Sequence, residues 1–209
     1  MLVGKNQSVN KSRLNPDIAA LLHDIGHAAF SHFWDGVFMQ QKIKEHGGKL
    51  VDPANPNNFI TEWNHEIAST LIIDHIYSDE GIKDLCRYYG LEDIDIEFVK
   101  ELINPEKLKG LKDDAPWPMK GRPESKAFLY EIVSNSRSGL DVDKLDYLQR
   151  DPYFAKGMDS GIPITRIFRN MEVNFCSKND DRTLISVRDK CDVDVLRVYQ
   201  EREKNHREM

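Results

Sequence analysis

Residues 21–36 read LLHDIGHAAFSHFWDG, three histidines and two aspartates among residues that are otherwise small, aromatic or apolar. No lysine, arginine or glutamate falls between Asp17 and Phe30, so the stretch lacks what a solvated helix face carries. Asn15 as a cap, Pro16 in the first turn and Asp17 at the positive end predict a helix that begins here and runs through the stretch. At about 100° per residue, Ile18, Leu22, Ile25 and Ala29 form its core-facing stripe, with Leu21 at the edge. His23, Asp24 and His27 fall opposite. Their neighbours Ala19, Ala20, Gly26 and Ala28 are small and leave room for an approaching group, so this side reads as the wall of a cleft.

The chain has 209 residues, the size of one domain, and no internal repeat or composition break divides residues 1–209. The expected fold class is mainly α, with one small β-hairpin near the C-terminus. A second helix starts near Thr61, whose hydroxyl can cap EWNHEIASTLIIDHIY, and Ile67, Leu71 and Ile72 recur at helical spacing. Shorter helices are predicted over 82–89, ended by Gly90, and over 94–103, ended by Pro105. Residues 104–124 carry four prolines and many charges, which predicts a long surface loop with Trp117 and Met119 partly buried. Helices resume at KAFLYEIVSN and DVDKLDYLQRD, MEVNFC and TLISVR alternate as a hairpin around SKNDDR, and a charged helix closes the chain.

Charge and cysteine usage narrow the partners. A net charge of -6 argues against a nucleic-acid partner held by phosphate neutralisation. Apolar runs are far below spanning length and the first residues have no apolar core, so neither a membrane span nor a signal peptide is expected. Cys86, Cys176 and Cys191 are odd in number and form no CxxC, which fits a reducing, intracellular compartment.

Imidazole nitrogen and carboxylate oxygen both ligate divalent first-row metals, so the histidines and aspartate of the first helix could begin a metal site completed from elsewhere. An HD dipeptide alone is short and common, and a satisfied buried histidine explains it as well. A second face favours chemistry. In DVDKLDYLQRD, Val142, Leu145 and Leu148 give the apolar side, while Asp143, Tyr147 and Asp151 recur at four-residue steps.

LLHDIGHAAFSHFWDG, WNHE, KGRPESKAFLYEIVSNSRSGLDVDKLDY and VRDK resemble, in order, segments of the HD-domain deoxynucleoside triphosphate triphosphohydrolases. The likeness is strongest to the eukaryotic branch that joins a SAM domain to the HD domain. It implies an HD-domain helical fold that hydrolyses dNTPs, dGTP among them, to deoxynucleoside and inorganic triphosphate. It further implies a divalent metal held by two histidines and two aspartates, and iron, manganese, zinc and magnesium all suit such donors. By motif, His23, Asp24 and Asp143 match three ligands. The fourth is a histidine on an upstream helix, and residues 1–22 contain no histidine; a phosphate-binding arginine near it is likewise missing.

In the reaction that the resemblance implies, metal-activated water attacks the α-phosphorus. His32 matches the histidine proposed to protonate the leaving 5′ oxygen, and Asp35 and Glu66 match acids that orient or tune it. His27 and His65 match phosphate contacts. Lys144 matches a phosphate-binding lysine, and Tyr147 with Asp151 match the pair that packs on and hydrogen-bonds the deoxyribose, the tyrosine excluding a 2′-hydroxyl. Arg188 and Lys190 in VRDK, with Arg166 as a weaker match, correspond to residues that contact an activating nucleotide between subunits of a homo-oligomer, dimer or tetramer. The likeness covers the middle of the catalytic core, so the chain reads as an HD domain truncated at both ends, and placement in nucleus or cytoplasm follows by analogy. Two functions are carried forward: a metal-dependent dNTP triphosphohydrolase, or, because the first ligand histidine is absent, a non-catalytic nucleotide-binding or interaction module of the same fold.

Overall fold

The computed structural model describes residues 11–52, 55–112, 114–157, 159–176 and 179–208. The chain forms two compact units, one up to Asn104 and one from Pro105. Both are mainly helical, as expected, and among the described residues no helix is long and apolar enough to cross a membrane.

In the first unit, α1 spans Lys11–Leu22 and holds Pro16 inside it, so the helix starts before the Asn15–Pro16 pair. Asn15 is therefore not a cap. Its buried side chain donates from Nδ2 to Asp95 Oδ1 at 3.1 Å. Asp95 lies in the first turn of α5 (Asp93–Ile103), where its second oxygen accepts the Glu92 backbone N–H at 2.9 Å as half of a capping box. One carboxylate thus starts α5 and ties it to α1.

The predicted passage of the first helix through the HD stretch does not hold. α1 ends at Leu22 and His23–Gly26 form a turn, closed by Ile25 N–H to Leu22 O at 3.3 Å and His27 N–H to Asp24 O at 3.0 Å. Phe30 and Ser31 then take left-handed backbone with φ of 67° and 50°. The wheel that set Ile25 and Ala29 beneath Ile18 has no physical basis beyond Leu22. His32 and Phe33 open a new helix, whose Trp34–Met39 segment has π-type hydrogen bonding and which continues as α2 (Gln40–Glu45).

A hairpin not anticipated follows, β1 (Leu50–Asp52) against β2 (Asn55–Ile60), with Leu50 opposite Ile60 and Val51 opposite Phe59. Its prolines and asparagines hid two short strands behind turn chemistry. α3 (His65–Tyr77) starts after Asn64, not at Thr61, because the Asn64 side chain accepts the Ile67 N–H at 2.7 Å. Its inward residues are Ala68, Ser69 and Ile73, while Leu71 and Ile72 stay exposed. α4 (Glu80–Tyr88) ends before Gly90, whose φ of 75° stops the helix.

In the second unit, α6 (Val142–Lys156) begins at Asp141, whose carboxylate accepts the N–H groups of Lys144 and Asn135, each at 2.9 Å. Leu145 and Leu148 are buried with Ile162, with Ile167 of α7 (Ile164–Phe168) and with Val198 of α8 (Asp192–Glu208). The expected C-terminal hairpin is present as β3 (Met171–Cys176) and β4 (Asn179–Val187). Along β4 packs Glu124–Glu131, a 3-10 helix where the pattern predicted a regular one. Buried Arg182 joins these parts, donating to Glu124 at 2.7 Å and to the carbonyls of Lys112 and Ala115 at 3.0 and 2.9 Å. Glu131 receives both arms of Arg137, at 2.6 and 2.9 Å, and the Ile185 N–H at 2.7 Å. Trp117 is half-buried and Met119 buried, as the loop's composition implied.

The HD turn lies directly on α3. Gly26 N–H donates to Ser69 Oγ at 2.9 Å, and Ser69 Oγ donates to His23 O at 2.6 Å. A Cβ on Gly26 would sit 2.2 Å from His65 O and 2.4 Å from Ser69 N, both backbone atoms that cannot swing aside. Gly26→Ala should therefore destabilise the chain by about 3 kcal/mol, the upper range for overpacking. Urea melts followed by tryptophan fluorescence read this, and an unchanged midpoint would contradict the close approach.

Candidate active site

Three histidines of the first unit gather around one carboxylate, and a fourth lies against two of them. Asp24 Oδ1 lies 3.3 Å from His23 Nε2, 3.6 Å from His27 Nε2 and 3.9 Å from His65 Nε2. His27 and His65 stack with ring centres 3.8 Å apart and planes 20° from parallel. His32 approaches both edge-on, at 5.1 and 5.4 Å. Two chain reversals bring this about. The turn at His23–Gly26 sets His23, Asp24 and His27 against the start of α3, and the left-handed pair Phe30 and Ser31 returns His32 toward them.

Hydrogen bonds at the far ring nitrogens orient the imidazoles. His23 Nδ1 lies 2.7 Å from Ala20 O, a carbonyl that only an N–H can satisfy, so Nε2 keeps its lone pair on the side of Asp24. His65 Nδ1 lies 2.8 Å from Asp35 Oδ2, and the His65 backbone N–H reaches the same oxygen at 3.0 Å. Asp35 is buried in the π segment, and its other oxygen, Oδ1, has no hydrogen-bond partner. Glu66 Oε1 stands 3.5 Å from His65 Nε2. The contacts of the two acids that the resemblance placed beside His32 thus run to His65. Ser31 Oγ reaches His27 Nδ1 at 3.4 Å.

The donor chemistry fits a metal. Ligands about 2.1 Å from a shared first-row ion lie roughly 3 Å apart, close to the 3.3 Å between His23 Nε2 and Asp24 Oδ1. The ligand atoms of His27, His32 and His65 also lie within 4.8 Å of one another. Sequence reasoning separated these sets by role; folding brings His23, His27 and His65 to Asp24 and His32 to His27 and His65. It missed Ser69, a buried serine on α3 that carries no motif, although the small residue at Gly26 was the visible sign of a close approach.

The remaining expected residues lie in the second unit. Asp143 and Lys144 occupy the first turn of α6. Lys144 Nζ donates to Gly139 O and lies 5.8 Å from the Tyr199 ring, and burial pushes its pKa down. Tyr147 packs against the Leu145–Leu148 core, and burial pushes its phenol up against the opposing hydrogen bond from Arg202. Asp151 pairs with Arg150 at 3.5 Å. Arg166 donates to Lys190 O at 3.1 Å and faces Asp194 at 3.3 Å, while Arg188 faces Glu172 at 3.3 Å. Arg166, Arg188 and Lys190 are all exposed.

No protein-family model matches the chain. Relatives are plain. The human deoxynucleoside triphosphate triphosphohydrolase SAMHD1 is 37% identical over 192 residues, covering 91% of this chain and 27% of that protein. Its counterpart from Bos taurus is 42% identical over 135 residues, 64% of this chain and 20% of that protein. An HD domain-containing protein of Acanthamoeba polyphaga mimivirus is 37% identical over 134 residues, 64% of this chain and 21% of its own length. This chain is related to the HD-domain deoxynucleoside triphosphate triphosphohydrolases. It spans about a quarter of the length of the human enzyme.

Burial, then the neighbouring His65, holds the His27 imidazole below its ordinary range. The unfolded chain therefore takes up this proton more readily, so stability is full above about pH 6.5 and declines as pH falls below it. His27→Asn should lose less stability than the parent chain between pH 7.5 and 5.5. Parallel urea melts of the metal-free proteins read the difference, and an equal loss would remove His27 as the source.

Proposed function

We propose that this chain carries the catalytic segment of a metal-dependent dNTP triphosphohydrolase, which splits dGTP and other dNTPs into deoxynucleoside and inorganic triphosphate. The observation that carries this reading is the set of three imidazoles around Asp24, with His32 against two of them, in a chain 37% identical to the human triphosphohydrolase.

His23 and Asp24 would hold the ion, which when bound polarises a phosphoryl oxygen and lowers the pKa of water. Water attack at the α-phosphorus breaks the bond to the 5′ oxygen, and that alkoxide needs a proton. His32 delivers it: the side chain is exposed and lies at the rim of the cluster. His27 and His65 contact phosphate oxygens, with Asp35 fixing the His65 ring and Glu66 beside it. Lys144 binds phosphate, and Tyr147 with Asp151 holds the deoxyribose. Arg166, Arg188 and Lys190, which are exposed, bind an activating nucleotide in a homo-oligomer.

The chain, supplied with dGTP and Mn2+, is expected to yield deoxyguanosine and triphosphate, separated by ion-exchange chromatography. His32→Ala should lower kcat by about 10²- to 10⁴-fold, the worth of a positioned proton donor. The alternative is a non-catalytic nucleotide-binding or interaction module of the same fold. No product, together with no metal in elemental analysis, would decide for that module.

A further inference from the structure

We infer that Tyr199 is a positioning residue for Lys144, its ring and hydroxyl together holding the ammonium group where a phosphate meets it; the phosphate rests on the function proposed above. Lys144 Nζ lies 5.8 Å from the centre of the Tyr199 ring, within reach of a cation–π attraction. The Tyr199 hydroxyl donates to Ser138 O at 2.9 Å, and the next carbonyl along the chain, Gly139 O, accepts from Lys144 Nζ. One tyrosine of α8 thus reaches the lysine twice, directly through its ring and indirectly through the loop.

The fold fixes this contact from both sides. Val198, beside Tyr199, is buried in the same cluster as Leu145, beside Lys144, so the packing of α8 on α6 brings the two side chains together. Buried Asn135 folds the loop. Its Oδ1 accepts the N–H groups of Arg137 and Ser138 at 3.1 and 3.0 Å, its Nδ2 donates to Leu140 O at 3.2 Å, and its carbonyl accepts the Gly139 N–H at 2.7 Å. Gly139 takes left-handed backbone with φ of 65°, and a Cβ there would stand 2.9 Å from Lys144 Nζ, so glycine suits both the turn and the close lysine.

An ammonium group has three N–H donors and no acceptor. One donor goes to Gly139 O, and the ring face attracts the charge without using another, which leaves donors for phosphate oxygens. A lysine on a flexible stem gives up rotamer freedom when it binds an anion, and here much of that loss is taken on folding. A group that only holds phosphate binds it in the ground state and the transition state alike. Tyr199 therefore bears on KM and not on kcat.

The test uses the full chain with Mn2+ and dGTP. Tyr199→Leu should raise KM about 10-fold, the worth of the ring, with kcat unchanged, and Tyr199→Phe, which keeps the ring, should recover most of the loss. In a Lys144→Met chain the same Tyr199→Leu change should add less than about 2-fold, because it acts through the lysine. An equal rise in KM with and without the lysine would make Tyr199 a structural residue only and overturn the inference. Circular dichroism checks that each variant is folded. A second measurement needs no turnover: under limiting acetic anhydride, peptide mass spectrometry should show Lys144 acetylated more slowly than exposed Lys190 in the parent chain, and faster in Tyr199→Leu than in the parent. Lys144 acetylated alike in both chains overturns the inference as well. No hydrolysis at all counts against the function above, and acetylation then decides the positioning by itself.

Discussion

The contact between Gly26 and the start of α3 governs the first unit. Ser69 Oγ accepts from the Gly26 N–H and donates to the His23 carbonyl, so one hydroxyl satisfies both sides of the HD turn in a place closed to water. Only a glycine lets the backbone of the turn lie against the His65 carbonyl. This approach carries His27 onto His65, and the stacked rings define where His32 and Asp24 can sit. Loosening it would move every donor of the cluster at once.

Crowding imidazoles has an electrostatic cost that acids offset. Burial and neighbouring His65 keep His27 from holding a proton easily. Asp35 answers from beneath, buried and hydrogen-bonded to the His65 ring and backbone. Asp24 answers from above, where its side chain is half-exposed. The rings between these carboxylates set their Nε2 atoms within 4 Å of Asp24 Oδ1, nitrogens that can exchange protons with a phosphate ester. The second unit solves a different problem, with Arg182 and Arg137 holding a proline-rich stretch and a hairpin together through Glu124 and Glu131. Its candidate ligands on α6 rest on that frame.

Local patterns were read well where one element decides them. α5 lies where periodicity and Pro105 placed it, α6 starts where expected but runs past Asp151 through Pro152 to Lys156, and Leu145 and Leu148 are buried as the apolar side predicts. The C-terminal hairpin follows from its alternation. Reading failed where two elements compete for the same residues. Asn15 has the chemistry of a cap but is spent on Asp95, and Thr61 could cap α3 but Asn64 does. The helix projected through the HD stretch breaks after Leu22, since hydrogen bonding to Ser69 outweighs continued helix there.

The sequence by itself determined the chemical inventory: the histidines and acids of residues 23–35, the WNHE segment, the α6 face and the relationship to dNTP triphosphohydrolases. Those are properties of residue type and order, which motifs carry directly. Tertiary structure alone decided which side chains meet. Asp24 became the common neighbour of His23, His27 and His65, and Asp35 reached the ring of His65, because a turn, a left-handed pair and a glycine contact fold distant residues onto one oxygen. No spacing rule encodes that convergence, since it depends on the path of the backbone between elements and not on periodicity within one.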